Sequence, residues 1–365
     1  MVSMLFTTPK IGGELKARLK ELDELRSRLG SEAGGGGPWL GTLRRQVKAS
    51  SAESSISIEG FHVPADEAVS LVAGEETPEP GHEGQLALAG YARAMDHVGV
   101  MAVDPSFHWC ERVILDLHFD ACGFQRDQAP GLWRDGPIGV TSPEGEGLAY
   151  VGPNAEEVPE LMAEVVDWLE RGDLDAHVVV RAAMAHLNVI SVHPFRDGNG
   201  RLSRTVQSLV LARERLLTPE LGSIEEYLGR HTPAYYAVLR ETQGGSYQPK
   251  RAANGWVAFC VEAHLEQARR RLDQLAEAGA RWAHLEGLVE QRDWPDRLTI
   301  ALEQSLFGGT DRTSYAREAN VSPATASADF RRLLDAGLVA QSGRGRATRY
   351  VAADTLRGGV REAST

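Results

Sequence analysis

Leu15, Leu19, Leu22, Leu25 and Leu29 recur at steps of three and four among Lys, Arg, Glu and Asp, the spacing that lines one face of a helix with apolar side chains. The stripe predicts an amphipathic packing helix that ends where Gly30 begins a loop. Gly34 to Pro38 reads Gly-Gly-Gly-Gly-Pro and predicts a connector between two helical pieces, because glycine favours the free chain and proline lacks a donor. From His82 to about Arg297 the pattern is mostly helical, as in His108 to Phe119 and Val178 to Val192, with one interruption between Gly131 and Pro153. Within it, Gly136-Pro137-Ile138-Gly139-Val140 and Leu148-Ala149-Tyr150-Val151 predict two short strands joined as a hairpin.

After Trp294-Pro295 the pattern changes again. Thr313 to Ala326 reads as helix, tight turn, helix, with Ser322 as N-cap and Pro323 at the first helical position. Gly337-Leu338-Val339, Gly343-Arg344-Gly345-Arg346 and Thr348-Arg349-Tyr350-Val351 then suggest a hairpin with a basic tip. No internal repeat is visible.

Composition narrows the class. The 365 residues are 42% hydrophobic and 25% charged, ordinary for a folded chain of two or three domains. The formal charge of −12 excludes a uniformly basic nucleic-acid binder. Charge is segregated, however: Arg297 to Thr365 carries ten Arg against seven acids. Cys110, Cys122 and Cys260 are odd in number and lack a Cys-x-x-Cys pair, which argues against a disulfide framework or structural zinc and for a reducing, cytoplasmic setting. No secretory leader or membrane-length apolar run is visible.

The chemistry concentrates in His193-Pro194-Phe195-Arg196-Asp197-Gly198-Asn199-Gly200-Arg201-Leu202-Ser203-Arg204. Pro194 disfavours helix at His193, so a helix ending near Val192 hands over to a loop, and a new helix begins within Gly198 to Arg201. Free N–H groups and the helix dipole at that N-terminus attract anions, and Gly198 and Gly200 let a phosphate approach the main chain. Arg201 and Arg204 lie three apart and can grip successive phosphates. Asp197 is the carboxylate for Mg²⁺, which takes one or two carboxylates together with phosphate oxygens. His193 can accept a proton near neutral pH. His186 reads instead as a packing or hydrogen-bonding residue.

These twelve residues resemble the Fic motif, His-x-Phe-x-Asp/Glu-Gly-Asn-Gly-Arg-x-x-Arg, with every defined position filled. The resemblance extends at the level of pattern over roughly Leu5 to Cys260. It implies a mainly α fold, a Fic-type helical core with a β-hairpin flap. It also implies transfer of AMP from Mg²⁺-ATP to a Tyr, Thr or Ser hydroxyl of a target protein. It would make His193 and Asn199 catalytic, Phe195 a buried anchor, Asp197 the metal carboxylate, and Asn199 with the adjacent amides of Gly198 and Gly200 the cradle of the α- and β-phosphates. Arg201 would meet the β-phosphate and Arg204 the γ-phosphate. Gly131-Leu132-Trp133-Arg134 and the hairpin that follows resemble the family's flap, whose edge pairs with the target segment. Tyr235-Tyr236 resembles a tyrosine pair near the adenine.

Ser55-Ile56-Ser57-Ile58-Glu59-Gly60 resembles the inhibitory motif of class II members, with Ser55 and Glu59 one turn apart on a helix and Glu59 paired with Arg204 in place of the γ-phosphate. Whether Glu59 also supports removal of AMP stays open. The C-terminal part resembles a winged helix-turn-helix, with Thr325, Arg344, Arg346 and Arg349 as candidate DNA contacts; such modules also dock proteins. The resulting division is an N-terminal helical region over 1–100, a catalytic core over 101–215 with the flap at 131–153, a helical extension over 216–292 and the winged-helix domain over 293–365. A homodimer, self-modification and no membrane are expected. One rival is a DNA-binding regulator whose Fic core senses nucleotide; another keeps the enzyme but changes the nucleotide or the transferred group.

Overall fold

In the computed structural model, residues 4–141, 147–343 and 348–363 are described, with side chains described through Val360. The chain is mainly helical, with two small hairpins. The leucine stripe forms α1 (Gly13–Gly34), which runs through Gly30 instead of ending there. A Cβ at residue 30 would lie 3.0 Å from the Leu216 carbonyl, so this glycine marks a close approach inside the helix. Leu29 and Ala33, on either side, are buried beside Leu217 and Leu221, and that packing outweighs the helix-breaking tendency of a single glycine.

α2 (Leu40–Ser57), α3 (Ala65–Val72), α4 (Glu83–Val103) and α5 (Glu111–Cys122) follow. His108 to Cys110 precede α5 in non-helical conformation, so that helix starts later than the apolar pattern suggested. β1 (Gly139–Thr141) and β2 (Leu148–Val151) pair antiparallel, with Val140 opposite Tyr150. Gly136 to Ile138 stay outside the strand, where Pro137 has no N–H to give a ladder. The other edge of β2 is met by Ser246 through a parallel bridge, leaving the β1 edge without a strand partner among the described residues. The hairpin's tip falls outside the described residues.

α6 (Val158–Arg171), α7 (Val178–Val192) and α8 (Asn199–Ala212) build the centre. α7 and α8 are buried along almost their whole length, Val179 to Val192 apart from Arg181, and Leu202 to Ala212, being 8% exposed or less, which explains why their sequences are apolar and small rather than cleanly amphipathic. α9 (Pro219–Gly222), α10 (Glu225–Arg230) and α11 (Thr232–Gln243) wrap this pair. α12 (Asn254–Glu290) is a single 37-residue helix.

The C-terminal module contains α13 (Leu298–Leu306), α14 (Arg312–Glu318), α15 (Pro323–Asp335), the antiparallel pair β3 (Val339–Ser342) and β4 (Arg349–Ala352), and α16 (Asp354–Ala363). Ser322 caps α15 by accepting from the Thr325 N–H, with Pro323 in the first turn. The module has its own core around Tyr315, Phe330 and Tyr350, which also takes in Leu285 and Val289 from the end of α12.

Candidate active site

α7 ends at Val192, and His193 forms its C-cap in the left-handed region at φ 51°. The loop then folds back to start α8 at Asn199, with Gly198 as N-cap at φ 77°. Gly198 is required on two counts: its φ is positive, and a Cβ there would fall 2.2 Å from Cys122 Sγ. Glu59 lies directly against Gly200, where a Cβ would meet its Oε1 at 2.2 Å. The N–H groups of Gly198, Asn199, Gly200 and Arg201 have no acceptor among the described residues, as expected for a helix N-terminus open to an anion.

His193 and this N-terminus line one cavity of about 480 Å³, together with Glu59, Asp197, the β1 segment and Tyr236. His193 Nδ1 lies 3.1 Å from the Ile190 carbonyl. A carbonyl can only accept, so Nδ1 carries the proton and the unspent Nε2 is the acceptor. Burial pulls the imidazole pKa below its ordinary value of 6.5, outweighing the carbonyl bond, so the neutral base is the resting form at neutral pH.

Asp197 Oδ2 accepts from Gln125 Nε2 at 2.6 Å and from Arg201 Nη2 at 3.3 Å, while its Oδ1 has no partner among the described residues. One half-exposed carboxylate beside phosphate-seeking donors fits a cation such as Mg²⁺, which shares its ligands with phosphate and water. Among the described residues no group of three or more His, Cys, Asp or Glu forms a closed metal cage.

The two arginines part company. Arg201 is fully buried, its Nη2 reaching Gln125 Oε1 at 2.8 Å, with its guanidinium 5.6 Å from the rings of both Phe61 and Phe124. Arg204 turns towards α2: Nε donates to Ser55 Oγ at 2.8 Å, and Nη2 to the Ser55 carbonyl at 2.9 Å and Glu59 Oε1 at 2.8 Å. Burial acts against the Arg204 charge, but the Glu59 carboxylate together with Tyr235 and Tyr91 outweighs it and raises the pKa. Arg201 Nε and Nη1 and Arg204 Nη1 are buried without acceptors; unspent guanidinium donors at a helix N-terminus mark a place built for an anion.

Several expected residues take other positions. Glu59 lies beyond α2, in a turn closed by Glu59 N–H to Ile56 O and Gly60 N–H to Ser57 O, with Gly60 at φ 86°. The Ser55–Glu59 spacing therefore spans a helix end rather than a helical turn. The Asn199 side chain is spent on the loop itself: Oδ1 accepts from Phe195 N–H at 2.9 Å and Nδ2 donates to Phe195 O at 2.8 Å. It holds the loop's shape, which leaves the main-chain amides as the unspent donors at this N-terminus. Phe195 is buried, as an anchor should be. Tyr235 is buried with its hydroxyl 3.0 Å from His186 Nε2, and Tyr236 donates to Ile58 O at 3.1 Å, so neither hydroxyl is free. His186 sits between Gln207 and Tyr235 in a packing and hydrogen-bonding role.

In the C-terminal module, Arg349 is committed to Glu75 at 3.1 Å and Glu76 at 3.4 Å, which removes it as a free contact. The Thr325 hydroxyl joins the Ser322 cap at 2.9 Å. Arg344 and Arg346 lie outside the described residues.

Two residues essential to the geometry are not legible in the motif. Arg134 is 3% exposed and donates to four carbonyls, His193 O at 2.8 Å, Gly136 O at 2.8 Å, Pro153 O at 2.7 Å and Val192 O at 3.5 Å, tying the flap's two ends to the backbone of His193. His118 stacks flat on Phe195, with ring centres 3.5 Å apart. Only Arg134 carried a hint, as the one cation between Pro130 and the hairpin.

Residues 108–211 match the Fic/DOC family model. The chain carries a Fic/DOC family domain. A protein named protein adenylyltransferase Fic from Nematostella vectensis is 24% identical over 270 residues, covering 70% of this chain and 56% of its own. Protein adenylyltransferase fic-1 of Caenorhabditis elegans is 35% identical over 105 residues, covering 27% of this chain and 20% of its own. The chain thus spans about half or less of these curated relatives. Among solved structures, a Fic family protein of Desulfovibrio desulfuricans covers 95% of this chain and 98% of its own at a TM-score of 0.60 and 19% identity, and a Fic domain protein of Bacteroides thetaiotaomicron covers 71% and 97% at 0.58 and 19%. These two show the Fic fold. No helix among the described residues is long and apolar enough to cross a membrane.

Proposed function

We propose that this Fic domain transfers AMP from ATP to a protein hydroxyl. The observation that carries the reading is the shared cavity: an imidazole with its acceptor nitrogen unspent stands beside the unspent amides of Gly198, Asn199 and Gly200, at the start of the helix that carries the spare buried donors of Arg201 and Arg204. The acceptor hydroxyl gives its proton to His193 Nε2 as its oxygen bonds to the α-phosphorus. The bond from the α-phosphorus to the bridging oxygen breaks, and pyrophosphate leaves with the electron pair. The amides and arginines stabilise charge on the phosphate oxygens as it moves. Asp197 would hold Mg²⁺, which supplies charge neutralisation on the polyphosphate. The open edge of β1 suits main-chain pairing with an extended target segment.

Glu59 is the inhibitor in this reading. It occupies Arg204 and lies against Gly200, over the N-terminus where phosphate must sit. The relatives' name, protein adenylyltransferase, supports the reaction class. Intact-mass measurement after incubation with Mg²⁺-ATP tests it: Glu59→Gly gains the mass of AMP on itself or on an added target, and His193→Ala in that background does not. Unchanged mass in Glu59→Gly with every target presented defeats the proposal, and labelling that survives His193→Ala removes His193 as base.

A further inference from the structure

The structure assigns His118 as a positioning residue that aims the Gly198 amide at the transferred phosphate, an inference resting on the AMP-transfer reading above. His118 stands on α5, 79 residues from the phosphate loop it touches. Its two ring nitrogens have partners of opposite kind. Nδ1 lies 2.9 Å from the Gly131 N–H, which can only donate, and Nε2 lies 2.8 Å from the Asp197 carbonyl, which can only accept. The proton therefore sits on Nε2, and the ring is a neutral, single-tautomer bridge. Burial suits it to this state, bringing its pKa down to about 4.

The consequence follows from peptide geometry. The chain has no cis peptide bond among the described residues, and in a trans peptide the C=O and N–H point in opposite directions. Holding the Asp197 oxygen against α5 turns the Gly198 N–H of the same peptide away from α5, on a residue that lines the cavity. That N–H has no protein acceptor among the described residues. Stacking on Phe195, itself tied to Asn199, fixes the ring plane. The Gly131 contact fixes the ring's rotation, and links it to the segment that leads into the flap.

Three substitutions in the Glu59→Gly background separate the contacts. His118→Gln keeps an N–H at the Nε2 position for Asp197. His118→Asn keeps only an acceptor at the Nδ1 position for Gly131, and His118→Phe keeps the ring with neither. Losing an oriented amide donor lowers kcat by about a hundredfold in Asn and Phe, against about threefold in Gln, with KM for the acceptor protein unmoved. Equal losses in Asn and Gln, or full kcat in Phe, overturn the assignment. If the Glu59→Gly parent itself transfers no AMP, the proposed function fails separately. Calorimetric titration with pyrophosphate then decides the assignment: weaker binding in Asn and Phe than in Gln sustains it, and equal binding in all three overturns it.

Discussion

Replacing Glu59 with glycine perturbs one contact and leaves its surroundings in place. Arg204 stays anchored by the Ser55 hydroxyl and carbonyl, so the guanidinium does not collapse when the carboxylate goes. The lost contact is a 2.8 Å charge-assisted bond between side chains 1% and 23% exposed, a geometry in which such bonds contribute about 1.5–3 kcal/mol. A phosphate must displace that bond before Arg204 can serve it, and each 1.4 kcal/mol is about a factor of ten in rate. Glu59→Gly therefore raises the initial rate of AMP transfer by about 10- to 150-fold. Glu59→Gln, which fills the same space without charge, lands between wild type and glycine. The assay is incorporation from α-³²P-ATP under initial-rate conditions, with thermal unfolding of each variant measured alongside. Equal rates for all three proteins refute the reasoning, because Arg204 would then not be the contested group.

Three further outcomes follow from the geometry. Because burial holds the His193 pKa below 6.5, the base is active above that pKa and lost as pH falls through it; the rate of the Glu59→Gly variant is flat near neutrality with its acid limb centred below pH 6.5, and a midpoint at or above that value contradicts the assignment. Arg134→Ala strands the carbonyls that the guanidinium now satisfies, three of them at 2.8 Å or less, at a cost of about 3 kcal/mol or more in urea unfolding, whereas a loss below about 1 kcal/mol shows that water replaces it. Of the three cysteines, only Cys110 is exposed; burial pushes Cys122 up to about 12 and Cys260 well above the ordinary thiol range, so native protein at pH 8 is alkylated at Cys110 alone, and peptide mapping that finds the buried pair labelled disproves their burial.

The twelve-residue motif was legible because its chemistry is contiguous: proline breaks one helix, glycines open the next, and the charged residues between them have few other uses. The helical core followed from periodicity, and the hairpin from its glycines and small strands. His118 was not legible, since a histidine on an apolar helix face says nothing of the carbonyl it will meet 79 residues later. Asn199 is ambiguous in the sequence for a related reason: an amide beside glycines of this spacing can as well brace the loop as face a ligand, and its Phe195 contacts show the bracing. The Ser55–Glu59 spacing predicted proximity correctly but the wrong backbone, because Gly60 ends the helix before Glu59 joins it.

The long helix α12 has a consequence for how the molecule comes apart. At about 1.5 Å per residue it is roughly 55 Å long, and it gives Trp256 and Cys260 to the core beneath the site, Leu272 and Leu275 to the core under α1 and α2, and Leu285 and Val289 to the C-terminal module. Arg45 to Glu318 and Arg349 to Glu75 then close the far side, tying that module back to α2 and to the segment after α3. Melting any one of these cores strips a wall from its neighbour on the same rod. The protein's parts are arranged in series along the sequence but in a closed circuit in space, so loosening the C-terminal module slackens α2, the helix that brings Ser55 to Arg204, without touching a residue of the phosphate loop.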